Sequence, residues 1–146
     1  YLLPYYTNLE KNASPMFVGQ FVHDMEKGNP EAFMKRMAVL FADTDYKIVG
    51  DAELYFQNAF YLITKLLGFY TEVEHTISDG RIDMIAKTQD YIYIFEFKYD
   101  QSADAALRQI DEKGYAAPFA TDSRKLYKVG VNFNREKRCI DEWKVN

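Results

Sequence analysis

The run Tyr91-Ile-Tyr-Ile-Phe-Glu-Phe-Lys98 is aromatic or β-branched at nearly every position, as in a strand buried on both faces, yet it carries two charges near its end. A second strand-forming run, Arg81-Ile-Asp-Met-Ile-Ala-Lys87, stands just before it, and the polar Thr88-Gln89-Asp90 between them supplies a turn. The two are expected to pair as an antiparallel hairpin. With Gln89 and Asp90 as a two-residue loop, Thr88 faces Tyr91, and the register then sets Asp83 directly across from Glu96. Gln-Asp is not a favoured tight-turn pair, so a bulge that shifts the register by one is the competing arrangement.

Because side chains alternate along a strand, Glu96 and Lys98 share a face with Ile92 and Ile94, while Phe95 and Phe97 point the other way. Two carboxylates at cross-strand distance, roughly 5 Å, repel by about 3 kcal/mol at an effective dielectric near 20. Something must offset that cost. A lysine can do part of it, and a hard divalent cation with oxygen ligands can do more. Any one of these three residues alone reads as a solvated strand edge or an ion pair. Together, in an otherwise apolar strand, they read as a site for a cation and a water, since buried charges are rare unless paired or functional.

The chain of 146 residues is long enough for one core-bearing domain with a small appendage, and its 48% hydrophobic content excludes a disordered or fibrous class. No apolar stretch reaches membrane-spanning length and no secretory leader opens the chain, so a cytoplasmic protein with no membrane partner is expected. The chain begins Tyr1-Leu-Leu-Pro-Tyr rather than with methionine, which suggests a piece of a longer protein. One cysteine, Cys139, and two histidines, His23 and His75, leave no zinc-type cluster. His75 reads as a surface or satisfied histidine rather than a ligand. A formal charge of −4 argues against a protein that coats nucleic acid non-specifically. Arg124, Lys125, Lys128, Arg135, Lys137 and Arg138 nonetheless make a local basic segment, which either tracks a phosphate backbone or guards a solvated strand edge.

Residues 1 to about 45 read as a helical extension, with helices starting at Ser14-Pro15 and Asn29-Pro30 and packing through Phe17, Phe21, Met25, Phe33, Met37 and Leu40 or Phe41. A third helix runs from Asp51 to Gly68, with Glu53 near its start as either a favourable charge at the helix N-terminus or an acid reaching toward the metal site. Phe69 to Ile77 reads as a strand. After the hairpin come a helix from Ala103 to Lys113, stopped by Gly114, a strand from Lys125 to Phe133 and a last strand through Cys139 to Val145. The division is therefore 1–45, an extension or linker region, and 46–146, an α/β domain.

That order, αβββαβ, with Asp83 on the second strand and Glu96-Phe97-Lys98 on the third, resembles the PD-(D/E)XK nuclease superfamily and its restriction-endonuclease-like core, a mixed central sheet flanked by helices. Gly80-Arg-Ile-Asp83, Ile94-Phe-Glu-Phe-Lys98, Gln109-Ile110 and Lys113-Gly-Tyr115 look most like the nuclease-like domain found at the C-terminus of bacterial proteins that carry an AAA-ATPase-like domain upstream. The resemblance implies a Mg²⁺- or Mn²⁺-dependent phosphodiesterase acting on nucleic acid, with DNA as the expected substrate. In it Asp83 would be the principal metal ligand, Glu96 the second and the backbone carbonyl of Phe97 a third, while Lys98 orients or deprotonates the attacking water. Glu53 best matches a glutamate that often completes the site, with Glu74 competing. Gln109 matches a supporting polar position, and Arg124, Lys125 and Lys128 would contact nucleic acid. Tyr115 stands six residues after Gln109, so the Gln-x-x-x-Tyr motif of recombination nucleases is absent, and Ile82 replaces the proline of the family name. The alternative is a catalytically inactive module that keeps the fold for nucleic-acid or protein binding.

Overall fold

The computed structural model describes residues 15–42, 52–78 and 81–146. Helices α1 (Pro15–Glu26) and α2 (Pro30–Ala42) form a hairpin, followed by α3 (Ala52–Leu67). Asn29 starts α2 by accepting the Ala32 N–H through its side chain at 3.1 Å, and Glu31 places a negative charge in the first turn. Strands β1 (Glu72–Ser78), β2 (Arg81–Lys87) and β3 (Tyr91–Tyr99) then make a meander, and α4 (Ala103–Glu112) crosses over to β4 (Lys125–Asn134), which turns back into β5 (Cys139–Val145). A single turn of 3₁₀ helix at Ala117–Phe119, not anticipated from the sequence, lies within the crossover.

The sheet has the order β1-β2-β3-β4-β5 and is mixed: β3 and β4 are parallel and every other pair is antiparallel. Parallel neighbours need a crossover, and α4 supplies it. The alternation of β3 decides what each face meets. Tyr93, Phe95, Phe97 and Tyr99 join Val129, Val131 and Phe133 of β4 in one buried cluster with α1, α2 and α3. Aromatic rings dominate it: Phe56 stacks on Phe133 at 4.5 Å, Phe60 meets Phe97 edge-on at 4.6 Å, and Phe33 lies 5.2 Å from Phe95. The helical hairpin is thus bound into the same core as the sheet, and Tyr93 donates its hydroxyl to the Met25 carbonyl at 2.6 Å. Burial, the largest cause, pushes the Tyr93 hydroxyl pKa up, so it remains a donor.

The opposite face carries Ile92, Ile94 and Glu96, and α4 covers it with Ala103, Ala106 and Ile110 buried. Ser102 caps α4 by accepting the Ala105 N–H at 3.0 Å, and Glu142 of β5 accepts the Ala103 N–H at 2.6 Å. Most strand boundaries fall within a residue of the sequence reading, and the start of β1 differs by three. β1 begins at Glu72 rather than Phe69, because the N–H groups of Gly68, Phe69, Tyr70 and Thr71 are bonded to α3 carbonyls at Thr64, Leu66 and Leu67. Those donors are committed to ending the helix, and Phe69 and Tyr70 are left exposed. Among the described residues no helix is long and apolar enough to cross a membrane.

Candidate metal and nuclease site

The hairpin turn sets the geometry. Thr88 N–H donates to the Tyr91 carbonyl at 2.8 Å, and the Thr88 hydroxyl accepts the Tyr91 N–H at 3.0 Å. A threonine side chain thereby closes a loop whose Gln-Asp pair is poorly suited to it, and no bulge intervenes. Counting back, Ile85 pairs with Ile94 and Asp83 with Glu96. Directly paired strand residues stand about 4.5–5.5 Å apart, so the two carboxylates project side by side from the α4 face. Glu96 is 0% exposed, whereas Asp83 and Lys98 are half-buried.

Gly130 is the β4 neighbour of Glu96. A Cβ there would lie 2.3 Å from the Ala103 carbonyl oxygen and 3.0 Å from Leu107, so α4 rests on bare backbone beside the buried carboxylate. From this close seat α4 and the residues after it reach both ends of the constellation. Lys98 donates through Nζ to Gln109 Oε1. Tyr115 donates its hydroxyl to Asp83 Oδ2 at 3.1 Å. Motif spacing misses the Tyr115 contact, because it compares the distance from Gln109 only with a four-residue helical step. The available signal is Gly114, a helix stop placed between the two.

The other sequence candidates lie as follows. Phe97 turns its ring to the opposite face, leaving only its main chain on the site side. Glu53 falls in the first turn of α3, and its side chain lies outside the described residues. Glu74 is exposed on β1 and pairs with Ile85, while Thr76 stands opposite Asp83, so Glu74 is a diagonal neighbour on the same face. His75 is on the other face, edge-on to Tyr61 at 5.4 Å.

Arg124 and Lys125 are not brought to the carboxylates. Lys125 pairs with Tyr91, five positions from the Glu96–Gly130 level, or about 17 Å along the strand. All three bases have contacts within the fold: Arg124 pairs with Asp122 at 2.7 Å, Lys128 with Asp111 at 2.6 Å, and the Lys125 ammonium lies 4.9 Å from the Tyr127 ring centre. The Arg124 side chain, as the leading cause, together with its backbone N–H, holds the Asp122 carboxyl down at about 2.

The donor set suits a hard cation that keeps its water. Among the described residues no three His, Cys, Asp or Glu side chains gather into a ready-made cage. Mg²⁺ does not require one, since it binds through one or two carboxylates and retains several waters. Asp83 and Glu96 supply two such carboxylates.

A mixed sheet covered by helices on both faces, with paired acids and a lysine on its central hairpin, defines a restriction-endonuclease-like α/β protein. The family model described as the PD-(D/E)XK nuclease superfamily matches residues 51–143, and the chain belongs to that superfamily. A protein of Azotobacter chroococcum mcd 1, named "Uncharacterized protein in vnfD 5'region", is 34% identical over 90 residues, covering 60% of this chain. The chain spans 17% of that relative's length. No solved structure matches.

Proposed function

We propose that this domain is a divalent-metal-dependent nuclease that hydrolyses phosphodiester bonds of DNA, with Mg²⁺ or Mn²⁺ as its cation. The observation that carries the reading is the pairing of Asp83 with Glu96 where Glu96 is completely buried. Like charges in register disfavour a sheet, and a bound cation reverses that cost. Asp83 and Glu96 would hold the ion, with the Phe97 carbonyl as a third ligand and Glu53, or in its place Glu74, completing the set. The chemistry such an ion supplies when bound is polarisation of the phosphate and a lowered pKa for its water.

The chain's own residues do the rest. Lys98, on the same face as Glu96 and tethered by Gln109, is oriented to direct a nucleophilic water or to stabilise charge on the phosphate. The pairing of Arg124 with Asp122 and of Lys128 with Asp111 means that these bases, with Lys125, would meet a phosphate backbone only by exchanging partners. The division into a helical extension, 1–45, and a nuclease-like domain, 46–146, is one of sequence, supported by a family match that begins at residue 51, since α1 and α2 pack into the same core as the sheet. An ATPase-like domain upstream is supported by the family resemblance and by the much greater length of the relative.

Incubation with linear and circular DNA plus Mg²⁺ or Mn²⁺ is expected to give cleavage that Asp83→Ala abolishes. DNA left intact by the unaltered protein, with the upstream domain present, overturns the reading. One observation favours a second reading, an inactive nuclease-fold module that binds nucleic acid or protein: among the described residues only two acids converge. Calorimetric titration separates the two, since the nuclease requires stoichiometric Mn²⁺ binding and the module does not.

A further inference from the structure

We propose that Tyr115 is a positioning residue for the metal ligand Asp83, delivered to it by the left-handed turn at Gly114. The inference rests on the metal-site reading above and adds to it a residue that sets the ligand's orientation.

The backbone shows how the delivery works. α4 ends at Lys113 in a right-handed conformation, φ −82° and ψ −7°, and Gly114 follows at φ +65°. The Gly114 N–H bonds the Asp111 carbonyl at 3.1 Å, and the Tyr115 N–H bonds the Ile110 carbonyl at 3.3 Å. This pair of bonds is a Schellman reversal, which ends a helix and turns the chain sharply. Its effect on residue 115 is large. At about 100° per residue, an unbroken α4 would carry residue 115 some 240° around the axis from Gln109, away from the side that meets Lys98. Position 113 would lie nearer that side, but it holds an exposed lysine. The reversal turns the chain out of the helical path, and Tyr115 contacts the ligand while Gln109 contacts the lysine. One helix end thus reaches two members of the site through a Gln-x-x-x-x-x-Tyr spacing.

A tyrosine is well suited to this role. Its hydroxyl donates to Oδ2 and leaves Oδ1 of Asp83 for a cation, without adding or neutralising charge. The ring has few rotatable bonds, so the donor is held in place. Partners of this kind, which touch a ligand rather than the ion, typically change metal affinity by 10–100-fold when removed.

The test is calorimetric titration of the intact chain with Mn²⁺, alongside thermal unfolding without metal. Tyr115→Phe is expected to weaken Mn²⁺ binding by about 10–100-fold, with DNA cleavage recovering at saturating Mn²⁺. A merely structural tyrosine would lower the melting point and leave the affinity of the folded protein unchanged. Nothing lies within 4 Å of a Cβ placed on Gly114, so substitutions there act through the backbone alone. Gly114→Asn, which tolerates a left-handed conformation, should retain the affinity, and Gly114→Val should lose it. Tyr115→Phe binding Mn²⁺ within twofold of the unaltered protein overturns the positioning role, and a Gly114→Val protein of unchanged affinity overturns the delivery by the turn. Failure of the parent reading looks different: the unaltered protein then binds no Mn²⁺, or Asp83→Ala binds as well as the unaltered protein.

Discussion

Gly130→Ala tests whether α4 is seated on the sheet as closely as the site requires. The added methyl would meet the Ala103 carbonyl oxygen at 2.3 Å and the Leu107 N and Cγ at 3.0 Å. The first of these is helix backbone that cannot swing aside. Nor can α4 readily slide, since its N-terminal end is bonded by Glu142 at Ala103 and by Lys144 at Asp104. Relief therefore needs helix and sheet to part by about 1 Å, a gap that forfeits a quarter to a half of the local dispersion energy. Overpacking of this kind costs about 1–3 kcal/mol, while replacing glycine by alanine in an extended strand returns about 0.5–1 kcal/mol. Contact at 2.3 Å with rigid backbone puts the cost in the upper half of its range, about 2–3 kcal/mol, so the net loss is about 1–2.5 kcal/mol, or roughly 2–10 °C in melting temperature for a chain of this size. Urea unfolding should show a lower midpoint at unchanged slope. Function should suffer more than stability, because α4 and the turn after it carry Gln109 and Tyr115, and a misplacement of about 1 Å can cost on the order of 100-fold in rate. Gly19→Ala is the control: Gly19 is exposed within α1 with nothing within 4 Å of an added methyl, so the same change there should stabilise by about 0.5–1 kcal/mol. A Gly130→Ala protein as stable as the unaltered one would refute the close seating of α4.

Glu96→Gln should raise the metal-free melting temperature, by an amount corresponding to about 1–3 kcal/mol, while abolishing stoichiometric Mn²⁺ binding, because it removes one of two like charges in register; a lowered metal-free midpoint counts against that repulsion. In the unaltered protein, Mn²⁺ at about 100 times its dissociation constant should stabilise the fold by about 2.7 kcal/mol, and Asp83→Ala should eliminate the shift seen by differential scanning calorimetry. The carboxyl of Asp122 should titrate at about 2 by NMR and return toward 3.8 in Arg124→Gln. Because its folded pKa is depressed, its contribution is present above 3.8 and is lost as the pH falls through about 2, so melting at neutral pH should not depend on its titration.

The hairpin is legible in the sequence because alternation and loop length together determine a register, and a slip of one would turn either Ile82 and Met84 or Phe95 and Phe97 out of the core. The helix boundaries are legible where a proline or glycine marks them, as at Pro30 and Gly68. Phe69 reads as strand because it is aromatic, and propensity does not register that its N–H is already bonded to the Leu66 carbonyl. Charge counting fails to resolve the basic segment for a similar reason: it counts Arg124 and Lys128 but not their bonds to Asp122 and Asp111, the latter 17 residues away.

Tyr115 shows the limit most clearly. Helical spacing makes its distance from Gln109 look wrong, although Gly114 ends the helix and the spacing no longer applies beyond it. Gly130 is equally opaque, since a glycine within a strand denotes either a bulge or a close approach, and only the position of Ala103 decides between them. The two glycines act on the same element, one seating α4 against the sheet beside Glu96 and the other turning its end toward Asp83. A helix held that closely at one end and redirected at the other can bring Gln109 and Tyr115 to Lys98 and Asp83 from a single support. The precision of the site therefore depends as much on residues that lack side chains as on the acids and the lysine.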